Sequence, residues 1–122
     1  MMRSVSDWRN DIGMQCYKIK IADLAERDLK SIGDYIAFDL RSPETALNIT
    51  QGLLIEIYKL RYYPKRCKLD ETPKLEARGI RKQYYKNYKI FYRVDDSREI
   101  VLVLPILHIL SDNKAALYRM LE

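Results

Sequence analysis

YKIKIADLAERDLKSIGDYIAFDLRSPETALNITQGLLIEIYKL, residues 17–60, changes its apolar period partway along, from two to nearly four. Tyr17, Ile19 and Ile21 alternate with Lys18 and Lys20, the pattern of a half-buried strand. Asp23 is expected to cap a helix, with Glu26 three residues on completing an Asp version of the capping box. Ala25, Leu29, Ile32, Ile36 and Leu40 then recur at three- and four-residue spacing and fall on one helical face. Ser42–Pro43–Glu44 restarts the pattern with a cap, a proline at the first helical position and an acid in the first turn. Ala46, Ile49, Leu53, Ile57 and Leu60 form the second stripe. Two amphipathic helices joined by so few residues must lie side by side and antiparallel.

Downstream, Tyr62–Tyr63–Pro64 ends the second helix, because proline pushes the residue before it out of helical angles. Lys65 to Gly79 has no period and is expected to be a surface loop or a short irregular strand. Arg81–Lys86 and Tyr88–Val94 flank Asn87, a tight-turn residue, and Asp95–Arg98 makes the next turn. On the middle strand Tyr88, Ile90, Tyr92 and Val94 share one face, and Lys89, Phe91 and Arg93 the other. Ile100–Leu110 is a third, mostly buried strand in which Pro105, unable to donate to the ladder, predicts a bulge or an edge. The tail, Asn113 to Leu121, is expected as a short helix capped by Asp112. The fold class is therefore α+β, in the order β-α-α-β-β-β, with an antiparallel helical hairpin packed on one face of a small, mainly antiparallel twisted sheet. Residues 1–16 are expected to be a loosely ordered extension ahead of a single domain at 17–122.

Hydrophobic residues make up 48% of the 122 and charged ones 32%, as in ordinary globular domains. No apolar run approaches the roughly 20 residues of a membrane span, and Met1–Gln15 lacks the apolar centre of a secretory signal, so a cytoplasmic protein is expected. Cys16 and Cys67 have no partner at metal-ligand spacing and are expected to be plain thiols. A lone histidine, with no CxxC or HExxH, predicts neither metal nor cofactor. Charge is distributed unevenly. Lys59 to Arg93 carries twelve Lys and Arg against Asp70, Glu71 and Glu76, a balance of +9 in a chain whose net charge is +5. Such a segment in an otherwise acidic body predicts a polyanionic partner, either nucleic acid or an acidic protein segment.

Four blocks in order resemble the RelE/ParE superfamily of bacterial type II toxins. The first has Ala25, Asp28, Leu29, Ile32, Tyr35 and Ile36 at the positions of the family's "A-x-x-D-L-x-x-I-x-x-Y-I" helix. The second, YYPKRCK (62–68), is similar to the family's helix exit. The third, GIRKQYYKNYKIFYRVDD (79–96), resembles its hairpin through Gly79, Arg81, Tyr88, Ile90, Tyr92 and Val94. The fourth, ILHILSD (106–112), resembles the end of its last strand through His108 and Asp112. The resemblance implies a toxin component that arrests growth unless held by a cognate acidic antitoxin in a hetero-oligomer. It leaves the target open: one branch of the superfamily cleaves mRNA on the ribosome, and another poisons DNA gyrase without nuclease activity.

Metal-independent RNA cleavage needs a base, an acid and neutralisation of the phosphorane. The catalytic candidates are Arg81 for phosphate charge, His108 as the proton carrier, and Tyr88, which could stack on a base or donate a proton. Lys82, Tyr84, Lys86, Arg93 and Tyr118 are candidates for contacting RNA or another target. The cationic and tyrosine-rich cluster favours an endoribonuclease acting on the ribosome. The alternatives are a gyrase inhibitor and, in a different class, a nucleic-acid-binding domain without toxicity. Each candidate has a structural alternative: His108 among Leu107, Ile109 and Leu110 suits a packed core histidine, and Tyr88 and Tyr92 suit sheet-face packing. Where the family has Gly-x-Arg after the histidine, this chain has Ile109–Leu110–Ser111, so a basic residue is missing there.

Overall fold

The computed structural model describes residues 16–111 and 115–120. The expected extension, apart from Cys16, and the expected cap Asp112 lie outside these. Strand β1 (Lys18–Ile21) leads into helix α1 (Asp23–Asp34), a π-helical turn (Tyr35–Asp39) and helix α2 (Pro43–Lys59). A 3-10 turn (Pro64–Arg66) and a one-turn helix α3 (Pro73–Glu76) precede β2 (Ile80–Tyr85), β3 (Tyr88–Asp95), β4 (Ile100–His108) and a short helix α4 (Ala115–Met120). The sheet order is β1-β4-β3-β2, with β1 parallel to β4 and the other pairs antiparallel. The region 65–79 is thus more ordered than its lack of period suggests. Its segment Lys68–Asp70 even pairs with the outer edge of β2, through Asp70 N–H to Ile80 O at 2.8 Å and a bridge between Leu69 and Arg81.

Two local expectations are corrected. Ala22, not Asp23, is the N-cap of α1, and Asp23 is the first helical residue, where its charge favours the helix dipole without a side-chain cap bond. Leu40 is 56% exposed, because the π-helical turn widens the helix after Asp34 and rotates the following residues off the core face. The other stripe residues face inward. Ala25, Leu53 and Ile57 pack with Ile90, Val103 and Ile106, and Leu29, Ile32 and Ile49 flank them. Tyr17, Leu60, Tyr92 and Val101 continue this layer. On the opposite face Leu75 of α3 and Leu117 of α4 cover Ile80, Phe91 and Leu104.

Pro105 sits at a bulge. Ile90 pairs with Ile106 but Tyr92 with Val103, so Leu104 and Pro105 together oppose Phe91. β1 pairs with β4 only as far as Val103, and beyond that point α1 takes over: Asp28 Oδ2 accepts the Ile106 N–H at 2.9 Å. Burial raises the Asp28 carboxyl above its usual range, while that N–H pulls it down.

Candidate functional site

β2 and β3 join through Lys86 and Asn87, with Lys86 in the left-handed region at φ 50. Tyr85 and Tyr88 close the turn as partners, and Tyr88 in turn faces His108 on β4. The Tyr88 and His108 rings meet edge to face at 5.5 Å. They line a cleft of about 300 Å³ with Ser31, Ile32, Tyr35 and Ile106. Burial, and then the neighbouring Tyr35 phenol, push the Tyr88 phenol up, so it stays protonated as a hydrogen-bond donor. His108 is exposed rather than packed in the core. Its Nδ1 accepts the Leu110 N–H at 3.1 Å, which assigns the ring proton to Nε2. The cleft therefore presents donors, the Tyr88 hydroxyl and His108 Nε2–H, over an apolar floor of Ile32 and Ile106.

Arg81 lies elsewhere. It pairs with Tyr92, four residues along β3 from Tyr88, and β2 is two strands from β4. Strand geometry puts its backbone roughly 16 Å from that of His108. Its Nη1 donates to Cys67 O at 2.6 Å and Lys65 O at 3.3 Å. Those bonds belong to a wider clamp on the segment after α2. Tyr92 Oη donates to Pro64 O at 2.5 Å, Lys65 pairs with Asp96, and Arg66 Nη1 donates to Tyr62 O and Lys59 O at the end of α2. Asp96 also accepts the Tyr17 hydroxyl at 2.9 Å, and the Lys65 ammonium, then Tyr17, hold its carboxyl below the usual range. Tyr63 enters this strap with φ 51, a left-handed conformation costly for an aromatic residue.

The target-contact candidates are spread over the sheet. Lys82 is bound by both oxygens of Glu71, at 2.9 and 3.0 Å, with the buried Asp70 carboxylate at 3.5 Å. Burial opposes its charge, but these bonds prevail and lift the ammonium to about 12. Tyr84 is exposed beside it, and both border an open cleft of about 650 Å³ with Arg66, Lys68 and Gln83. Lys86 lies over the Tyr85 ring at the hairpin tip, and Arg93 is exposed on the face opposite the helical hairpin α1–α2, the one that α3 and α4 partly cover. Tyr118 packs against the second core layer under Lys74. The structure thus brings Tyr88 and His108 together and leaves Arg81 and the remaining candidates in other neighbourhoods. Tyr35 had shown itself only as a motif position, and Ser31 by no signal at all.

Among the described residues no cluster of three or more His, Cys, Asp or Glu is placed to hold a metal, and no helix is long and apolar enough to cross a membrane.

Comparison with known proteins adds to this geometry. No curated protein matches the sequence. Several solved toxins share the fold. The chromosomal ParDE system of P. aeruginosa superposes with a TM-score of 0.64 at 21% identity, over 77% of this chain and 97% of that one. The toxin–antitoxin complex RelBE2 of Mycobacterium tuberculosis gives 0.55 at 20% identity, over 77% and 92%. A free-state mutant of E. coli toxin RelE gives 0.59 at 15% identity, over 87% and 99%. Residues 19–111 match the model of the ParE toxin of the type II toxin–antitoxin system parDE. The chain belongs to that family of type II toxins, within the RelE/ParE superfamily.

Proposed function

We propose that this type II toxin arrests growth by binding and poisoning a protein target of the DNA gyrase kind, with its acidic antitoxin holding it inactive. The observation that carries the reading is the separation of Arg81 from His108. An RNA-cleaving site needs a proton acceptor, a proton donor and a cation around one phosphate. Here the Arg81 guanidinium donates to strap carbonyls, with its backbone roughly 16 Å from that of His108, whose Nδ1 accepts the Leu110 N–H. Lys82 is already matched by Glu71 and Asp70. The match to the ParE model supports the same reading. The test uses the purified full chain in two assays, supercoiling by gyrase and mRNA integrity in a translating extract. Trapped gyrase–DNA cleavage complexes with intact mRNA are expected, and mRNA cuts without gyrase inhibition would overturn the proposal.

The second reading is a ribosome-dependent mRNA endoribonuclease. It is favoured by the Tyr88–His108 pair in its open cleft, which is suited to stacking on a base. Under it, His108→Gln should reduce mRNA cutting and leave ribosome binding in place.

A further inference from the structure

The face of the sheet turned away from the helical hairpin carries a different chemistry. Ile19 and Ile21 of β1, and Tyr92 and Val94 of β3, pack toward the hairpin, so strand alternation turns Lys18, Lys20 and Arg93 the other way. Leu102 of β4, packed with the layer of α3 and α4, marks the same face. Pairing sets these residues in register. Lys20, Leu102 and Arg93 form one row across β1, β4 and β3, and Lys18, Ile100 and Asp95 form the row beside it. Strand geometry spaces the Lys18 and Lys20 backbones by roughly 7 Å, and those of Lys20 and Arg93 by roughly 10 Å.

All three cations are exposed, and none forms an ion pair among the described residues. In this they differ from Lys65, Arg81 and Lys82, which bond the chain's own oxygens. Asp95, the carboxylate in the outer row, is already matched. It accepts the Ser97 hydroxyl at 2.8 Å and the Arg98 N–H at 3.2 Å, with the Arg98 guanidinium at 3.8 Å. Glu99, in the same turn, acts on the Tyr17 phenol, which belongs to the hairpin side. The face therefore presents a guanidinium fork and two ammonium groups whose charge the protein does not neutralise.

We infer that Lys18, Lys20 and Arg93 bind the phosphate backbone of duplex DNA. Charge complementarity carries the contact, since a duplex offers one negative charge per about 1.7 Å of its axis and arginine suits a phosphate's paired oxygens. The choice of DNA rests on the proposed gyrase target. A poison that holds gyrase on cleaved DNA must bind that complex more tightly than the free enzyme. A toxin touching the protein through one face and its DNA through the other has this preference built in. The Tyr88–His108 cleft opens on the hairpin side, so the two contacts do not compete.

Fluorescence anisotropy of a labelled DNA duplex titrated with the full chain, in the absence of gyrase, tests this. Three phosphate contacts predict an affinity that falls about 40-fold between about 50 and about 200 mM salt. Lys20→Glu combined with Arg93→Glu should weaken binding at least about tenfold at about 100 mM salt and flatten the salt dependence. Arg27→Glu combined with Lys30→Glu, on α1, changes the net charge equally and should stay within about threefold of wild type, because salt screens distant charge. Circular dichroism confirms that each variant is folded, and the milder Lys20→Gln with Arg93→Gln should weaken binding in the same direction. No binding at about 100 μM protein and about 50 mM salt would overturn the inference. So would equal losses in the two charge-reversed pairs, or a single-stranded RNA of the same length bound more than about tenfold tighter than the duplex. Gyrase trapped by a toxin that binds no duplex would sink this inference alone. Duplex bound through this face by a toxin that leaves gyrase untouched would uphold it and sink the gyrase target.

Discussion

Gly52→Ala is a substitution that helix propensity alone favours, and here it should destabilise. Gly52 lies in the middle of α2, where alanine is worth about 1 kcal/mol over glycine. A Cβ built there would stand 1.8 Å from Tyr85 Oη and 2.4 Å from Cζ, well inside contact distance. The Tyr85 ring, half-buried against the core layer under the hairpin, would have to leave. Truncating a fully buried aromatic costs about 3–5 kcal/mol, and half of that, roughly 2 kcal/mol, suits a half-buried ring. The net expectation is a loss of about 1 kcal/mol. In a Tyr85→Ala background the obstruction is gone, so the same substitution should stabilise by about 1 kcal/mol. Urea midpoints of the four proteins close the double-mutant cycle, with a coupling of about 2 kcal/mol and a reversal of sign. An alanine that stabilises equally in both backgrounds would refute the idea that Tyr85 is seated on Gly52. Because Tyr85 pairs with Tyr88, the displaced ring should also disturb the Tyr88–His108 cleft and lower toxicity by more than the stability loss explains.

Leu53→Ala removes a fully buried side chain from the hairpin–sheet layer and should cost about 2–5 kcal/mol in a denaturation series; an unmoved midpoint would misplace the helix face. Arg81→Ala frees two strap carbonyls and should cost about 2 kcal/mol while exposing the strap to proteolysis. Growth arrest abolished with stability unchanged would instead make Arg81 a target contact. Asp28 has a folded pKa above its ordinary 3.8, so it holds its proton more tightly when folded, and stability should fall as pH rises from 3.8 through the raised value. Asp28→Asn keeps an acceptor for the Ile106 N–H, so it should match wild type in strong acid and exceed it near neutrality, and equal stability at both ends would sink this account.

The helical hairpin was legible because its stripes depend on local periodicity, and two amphipathic helices with a short join have few ways to bury them. Asp23 and Leu40 were misassigned where the local rule met a competing one. The Ala22 N–H still donates to Val103 O at 3.0 Å, which keeps Ala22 extended and makes it the cap, and a π-helical turn broke the 3.6-residue count. The strap could not be anticipated from 65–79, since its order is imposed from far along the chain: Tyr92 reaches Pro64, Arg81 reaches Cys67, and Asp96 ties Tyr17 to Lys65. Four of the twelve cationic residues that suggested a polyanion surface, Lys65, Arg66, Arg81 and Lys82, are engaged in bonds within or onto this region.

The candidate cleft turns on Pro105. If the register set by Tyr92 and Val103 ran on unbroken, Tyr88 would face Leu107, and His108 would point to the side of the sheet covered by α3 and α4. The extra residue at Leu104–Pro105 shifts the phase by one. Val101 and Val103 before it, and Ile106 and His108 after it, then all face the helical hairpin. The bulge follows from chemistry visible in the sequence, because a proline cannot donate within a central strand. Its consequence was not visible, because the face His108 takes depends on where along β3 the register shifts, which no local pattern fixes. Asp28, 78 residues away, accepts the Ile106 N–H just past the bulge, where β1 no longer pairs with β4. The "D-L" of the first block and the histidine of the fourth thus meet on the same stretch of β4, two residues apart.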